Sequence, residues 1–238
     1  MKARLVNRTE VAERTGAFLF EIEGGRLGFR AGQSCDVKFP QARHQDAKGF
    51  TRTFSIASSP ADEPRVLVVA RLTGSAFKRS LWEAPLGSPV EIEGPYGSFT
   101  LHQESAKPAI LLAGGIGVTP FRSIIKDAIE RKLPHRLVLF YSNRNAASAA
   151  FMDDLVRWTT EHPNFQLVAT LTQPRAGEPW PHFTGSIGPE LLRRHVPDPR
   201  RAVFYLAGSP RFVAGLFGTL LEVGANPDDI RVEEFAGY

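Results

Sequence analysis

The chain has 238 residues, enough to bury a sizeable core as one large domain or two of ordinary size. With 42% hydrophobic and 23% charged residues it reads as globular; no apolar run approaches the ~20 residues a membrane helix needs, and no h-region follows Met1-Lys2-Ala3-Arg4. One cysteine, Cys35, excludes a disulfide framework, a Cys-rich zinc site and a cysteine-ligated iron–sulfur cluster and fits a reducing cytoplasm; a net charge of +4 fits a phosphate-bearing or acidic partner as well as it fits a solvated basic surface.

Residues 1–103 read as all-β. Phe18, Phe20 and Ile22 alternate with Leu19, Glu21 and Glu23, and Cys35, Val37 and Phe39 alternate with Ser34, Asp36 and Lys38. Thr51 to Ile56, Val66 to Arg71 and Pro89 to Glu93 continue the pattern, with turns at Gly24-Gly25 and Ala31-Gly32. About six strands at this spacing suit an antiparallel β-barrel. Gln41 to Gly49 is polar and aperiodic, the signature of a loop, and Ser75 to Trp82 reads as a short helix.

Residues 104–238 form the second expected domain, entered through a linker at Glu104 to Pro108. Strands are expected at 109–113, 136–141, 165–171, 202–207 and 230–233, with helices at 121–131, 151–160, 190–195 and 211–223. In the first helix Phe121, Ile124, Ile125, Ala128 and Ile129 recur on one face. Alternating strands and helices imply a Rossmann-like parallel sheet whose ligands bind beyond the carboxyl ends of the strands.

Leu111 to Phe121 is the most informative stretch. An apolar run ends in Gly114, Gly115 and Gly117, after which Thr119 occupies an expected N-cap and Pro120 the first helical position. Such a turn suits either a phosphate at the positive end of a helix or a close strand–helix contact. It is neither the common dinucleotide fingerprint, since Pro120 stands where a third glycine would fall, nor a P-loop. Other stretches are ambiguous alone. Arg52-Thr53-Phe54-Ser55 is an ordinary strand with a surface arginine, Gly74-Ser75-Ala76 opens a short helix with Lys78 and Arg79 nearby, and Gly208-Ser209-Pro210 is a second strand-to-helix turn. The chain closes on Glu233-Glu234-Phe235 and Tyr238.

In this order the motifs resemble the ferredoxin–NADP reductase superfamily, over nearly the whole chain. The resemblance implies a flavin-binding barrel, with Arg52 on the flavin phosphate, Phe54 against the isoalloxazine ring and Ser55 bonded to the reactive N5, and with Thr53, Ala70 and Leu72 lining the site. Gly74, Ser75 and Ala76 would hold the pyrophosphate, and Lys78 stands where the family often has Ser or Thr. Gly114, Gly115, Gly117, Thr119 and Pro120, with Gly208, Ser209 and Pro210, would cradle the nicotinamide nucleotide; Ala207 replaces a usual cysteine beside the nicotinamide. Ser142 and Arg144 would meet a 2′-phosphate, which favours NADPH over NADH. Glu233 and Phe235 would stand at the nicotinamide, with Tyr238 competing for the stacking place.

The implied reaction is hydride transfer from NADPH or NADH to FAD, then release of electrons to a separate acceptor. Ser55, Glu233 and Phe235 would be the residues at the reacting atoms. An acidic ferredoxin, flavodoxin or oxygenase component is the expected partner, with no nucleic acid and no membrane. Two alternatives accompany it: an electron-transfer subunit of a larger enzyme, and a non-catalytic redox-sensing module. The six scattered histidines are expected at the surface or in packing.

Overall fold

The computed structural model describes residues 1–44 and 46–235. By contact, Met1–Thr100 and Thr119–Glu130 form one unit; Leu101–Val118 and the chain from Arg131 onward form a second. Among the described residues no helix is long and apolar enough to cross a membrane.

The first unit holds β1 (Lys2–Ala12), β2 (Thr15–Ile22), β3 (Ser34–Lys38), β4 (Thr51–Ser55), β5 (Arg65–Arg71), α1 (Ala76–Glu83) and β6 (Pro89–Tyr96). The strands pair antiparallel in the order β4-β3-β6-β1-β2-β5. The two edges meet where Ile56 bridges Val68 and the Ala57 N–H donates to the Leu67 carbonyl at 2.8 Å, so the sheet closes on itself. Period-2 alternation places Phe18, Phe20, Cys35, Val37, Val66, Val68, Val90 and Ile92 in one core, which Phe77 and Leu81 of α1 join. Burial and the neighbouring Asp36 charge push the Cys35 thiol up to about 12, which makes it inert.

β1 has no clear signature in the sequence. Two β-bulges, between Leu5 and Asn7 and between Glu10 and Ala12, reset its alternation, and only Ala3 and Leu5 are buried.

The second unit carries β7 (Ala109–Gly114), β8 (Leu137–Asn143), α3 (Met152–Glu161), β9 (Phe165–Leu171), β10 (Phe183–Thr184), α4 (Pro189–His195), β11 (Val203–Gly208), α5 (Pro210–Glu222) and β12 (Ile230–Glu234). α2 (Val118–Glu130) follows β7. All strands are parallel, in the order β10-β9-β8-β7-β11-β12. The chain steps outward from β7 to β10, then crosses back to place β11 on the other side of β7. The strand order therefore reverses between β7 and β11, where an open α/β sheet has its binding crevice.

One local expectation is corrected. Thr119 is not an N-cap and Pro120 is not the first helical residue: α2 begins at Val118, directly after a 3-10 turn at Gly115–Gly117. The Val118 N–H is met by the Gly115 and Ile116 carbonyls, so the helix start needs no side-chain cap. Within the first unit, α2 is tied to the segment after β4: Arg122 Nη1 donates to the Ala57 carbonyl at 2.8 Å, and Ser123 Oγ to the Ser58 carbonyl at 2.6 Å.

Two of the histidines are buried in the second unit. His102 Nε2 lies 3.0 Å from the Lys107 carbonyl and must donate to it. Its Nδ1 then accepts from the Tyr205 hydroxyl at 3.0 Å, and that hydroxyl accepts the His102 N–H at 2.8 Å. His135 Nε2 donates to the His102 carbonyl at 2.9 Å. Burial holds His102 below its ordinary value; the Lys107 carbonyl opposes this, and the His135 and Arg231 charges add to it. A depressed folded value means that the unfolded chain binds the proton first. Stability is therefore full above about pH 6.5, falls as pH drops from there toward the lower folded value, and then levels off. We expect the melting temperature to fall between pH 7.5 and 5.5, and to fall less in His102→Asn. Tyr205→Phe should cost about 1–3 kcal/mol at neutral pH by leaving buried groups unpaired, measured by denaturant unfolding.

Candidate cofactor sites

In the first unit the Arg52 guanidinium is fixed from several sides. Nη1 donates to the carbonyls of Lys48, Gly49 and Thr51 at 2.9, 3.0 and 2.7 Å, and Nη2 to Asp46 Oδ1 at 3.0 Å. The group also sits 5.2 Å above the Phe77 ring. The other Asp46 oxygen accepts the N–H of Ala76, the first residue of α1, at 3.2 Å. Burial works against the Asp46 charge, but the Lys48 N–H, the Arg52 charge and the Ala76 N–H outweigh it and hold the carboxyl below its ordinary value.

Lys78, half-buried on α1, has no hydrogen bond or ion pair among the described residues. Burial lowers its pKa, and the charges of Arg52, Lys48 and Arg71 lower it further. Ser75 Oγ is buried and also without a partner. A Cβ on Gly74 would meet no atom within 4 Å, so that glycine faces open space. Arg52, Gly74, Ser75, Ala76 and Lys78 thus converge on one cationic seat beside the start of α1. Its donors suit a phosphate or pyrophosphate.

The remaining barrel residues are placed differently. Phe54 pairs with Cys35 on the core face, is 9% exposed and packs 6.1 Å from the Phe77 ring. Thr53 points to the other face and bonds Asp36. Ser55 is buried opposite Ser34. Ala70 lies in the barrel core, and Leu72 packs against it.

In the second unit, the carboxyl edge of the sheet aligns most of the expected nucleotide residues. Gly114 pairs with Ser142, Ala207 with Glu233 and Gly208 with Glu234, and the Phe235 N–H donates to the Gly208 carbonyl at 2.9 Å. Ser209 caps α5, its Oγ accepting the Phe212 N–H at 3.3 Å, and Pro210 opens the helix. Packing explains the glycines. A Cβ on Gly117 would lie 2.1 Å from the Ala207 carbonyl oxygen, and one on Gly114 or Gly208 would lie 2.8 Å from the Phe212 ring. Gly115 adopts φ +53° at the start of the 3-10 turn. Thr119 and Pro120 are buried within α2. Arg144, just past β8, is exposed, and its guanidinium has no carboxylate partner among the described residues. Ala207 is fully buried. Tyr238 lies outside the described residues. Asp46 and Phe212 escaped the sequence reading, because a loop carboxylate and one more apolar helix residue have no distinguishing pattern.

A barrel with a cationic seat and a parallel sheet with two glycine turns at its switch point define a two-domain flavin and nicotinamide protein. Residues 2–101 match the family described as oxidoreductase FAD-binding domain, and residues 111–216 match the oxidoreductase NAD-binding domain. The chain belongs to the ferredoxin–NADP reductase superfamily. Phenol hydroxylase P5 protein of Acinetobacter pittii is 29% identical over 211 residues, covering 88% of this chain and 58% of its own length. Terephthalate 1,2-dioxygenase reductase component 2 of Comamonas sp is 27% identical over 214 residues, covering 90% and 61%. Among solved structures, an Amycolatopsis cytochrome P450 reductase superposes with a TM-score of 0.84 at 23% identity, covering 99% of this chain and 70% of that one. The chain therefore spans about three-fifths of the length of the two curated relatives.

The two kinds of glycine separate experimentally. Gly117→Ala forces a Cβ against a backbone carbonyl and should cost about 2–4 kcal/mol, lowering the melting temperature by roughly 5–15 °C. Gly74→Ala should leave the melting temperature within about 2 °C, so any loss of flavin affinity in that variant reports the ligand's approach.

Proposed function

We propose that the chain transfers a hydride from a reduced nicotinamide dinucleotide to FAD and passes the electrons to a separate protein. The reading divides the chain after residue 103 into an FAD-binding and a nucleotide-binding half. The observation that carries it is the cationic seat of Arg52, Lys78 and the α1 N-terminus, in a chain whose other half ends its parallel strands in two glycine turns. When bound, FAD supplies the hydride-accepting ring and the capacity to release electrons singly or in pairs.

The protein's own share is binding and orientation. Arg52, always charged and held as a rigid fork by three carbonyls, and Lys78 would hold the flavin phosphate, with the N–H groups of Gly74, Ser75 and Ala76. Ser55 would bond the flavin N5. Gly114 to Pro120 and Gly208 to Pro210 would receive the nucleotide, and Glu233 and Phe235 would orient the nicotinamide from the carboxyl edge of β12. Ala207 offers no thiol there. The named roles of the relatives, a phenol hydroxylase component and a dioxygenase reductase component, favour an oxygenase component as acceptor; a net charge of +4 suits an acidic one. The single, buried, inert cysteine suits a cytoplasmic setting.

Purified protein reconstituted with FAD should be yellow and bleach anaerobically on adding NADPH or NADH. A yellow protein that neither nucleotide bleaches would be an electron-transfer subunit or sensor instead. Arg144, without a carboxylate partner, favours NADPH: Arg144→Glu should lower the ratio of NADPH to NADH efficiency by about tenfold or more, measured as kcat/KM with an artificial acceptor. An unchanged ratio would sink the assignment of Arg144.

A further inference from the structure

We propose that Asp46 is an internal competitor for the flavin phosphate: its carboxylate occupies the seat between the Arg52 guanidinium and the first N–H of α1, and FAD loads by displacing it. The proposal rests on the reading that the barrel unit binds FAD. Oδ1 accepts a hydrogen bond from Arg52 Nη2 at 3.0 Å, and Oδ2 accepts one from the Ala76 N–H at 3.2 Å. These are a fork donor and a helix-start donor, the pair that a phosphate uses.

A carboxylate meets only part of what the seat offers. Lys78 and the buried Ser75 Oγ remain without partners among the described residues. The charges of Arg52, Lys48 and Arg71 all bear on Lys78, and Asp46 is paired with Arg52 among them. A phosphate carries more charge and more acceptor oxygens than one carboxylate, so it can engage Lys78 and Ser75 as well. Exchange is thereby favoured in the direction of the ligand, although every FAD bound must give up what Asp46 had supplied.

The exchange does not require the segment to leave α1. His44 anchors it independently: its N–H donates to Ser80 Oγ at 2.7 Å, Ser80 Oγ donates back to the His44 carbonyl at 3.2 Å, Nε2 meets Glu83 at 2.8 Å, and Arg79 Nη2 reaches Nδ1 at 3.0 Å. Asp46 itself is exposed, so its carboxylate can turn into water while the anchor holds.

The test compares wild type, Asp46→Asn and Asp46→Ser, stripped of flavin and shown folded by circular dichroism, in titrations with FAD and with riboflavin followed by fluorescence. Both variants should bind FAD tighter by about tenfold or more, the factor that one charge-assisted hydrogen bond is worth. Riboflavin, which lacks a phosphate, should bind all three proteins equally. Glu91→Gln, which removes a carboxylate paired with Lys38, should leave FAD affinity unchanged. FAD binding no tighter in either folded variant than in wild type overturns the role of Asp46 and leaves the flavin reading standing. A gain for riboflavin equal to that for FAD also overturns it. Absence of FAD binding by every folded form overturns the flavin reading itself.

Discussion

The close approach of two turns governs the nucleotide half of this chain. β7 and β11 are neighbours at the point where the strand order reverses, and the 3-10 turn leaving β7 passes over the end of β11 so closely that Gly117 has no room for a Cβ beside the Ala207 carbonyl. Gly114 and Gly208 then flank the Phe212 ring, which fills the space their missing side chains leave. A ring gripped between two backbones fixes both turns with few degrees of freedom, because close-packed contacts of this kind do not yield by small adjustments. The glycine pattern is thus demanded by the fold before any ligand arrives. Phosphate binding can use such a turn because packing has already removed the side chains that would obstruct it.

The barrel site is built on the opposite principle. Gly74 has open space around it, and nothing in the packing requires a glycine there. What defines the site is charge: a guanidinium fixed by three carbonyls, a half-buried lysine, two further cations and the first N–H of α1. A Cβ added at Gly114, Gly117 or Gly208 therefore acts first on the fold, whereas one added at Gly74 meets no atom of the chain within 4 Å.

This difference also explains what could be read from the sequence. β7, β9 and β11 lie within one or two residues of their expected bounds, because a largely buried strand is a short apolar run bounded by turn residues. β1 carries the wrong period because of its two bulges, and β10 has two residues, too few to show any period. The order of the motifs identified the superfamily, while the local role of single residues was less legible. Phe54 follows from the period of its own strand, which points it at the core beside Phe77. Thr119 gave an N-cap signal that a preceding 3-10 turn made unnecessary. Asp46 sits in a polar stretch with no pattern, and its importance arises from a contact with Arg52 and Ala76 across a loop and a helix.

That contact sets one carboxylate between the Arg52 guanidinium and the first N–H of α1. Burial depresses the pKa of Lys78 first, and the charges of Arg52, Lys48 and Arg71 depress it further. Asp46, held below its ordinary value, stays ionised at neutral pH and offsets the Arg52 charge. A site with no carboxylate would bind an anion more tightly yet fold less readily without one, since ligand binding and stability are linked through the same charges. On the proposed exchange, part of the barrel's affinity for phosphate is spent on displacing its own side chain.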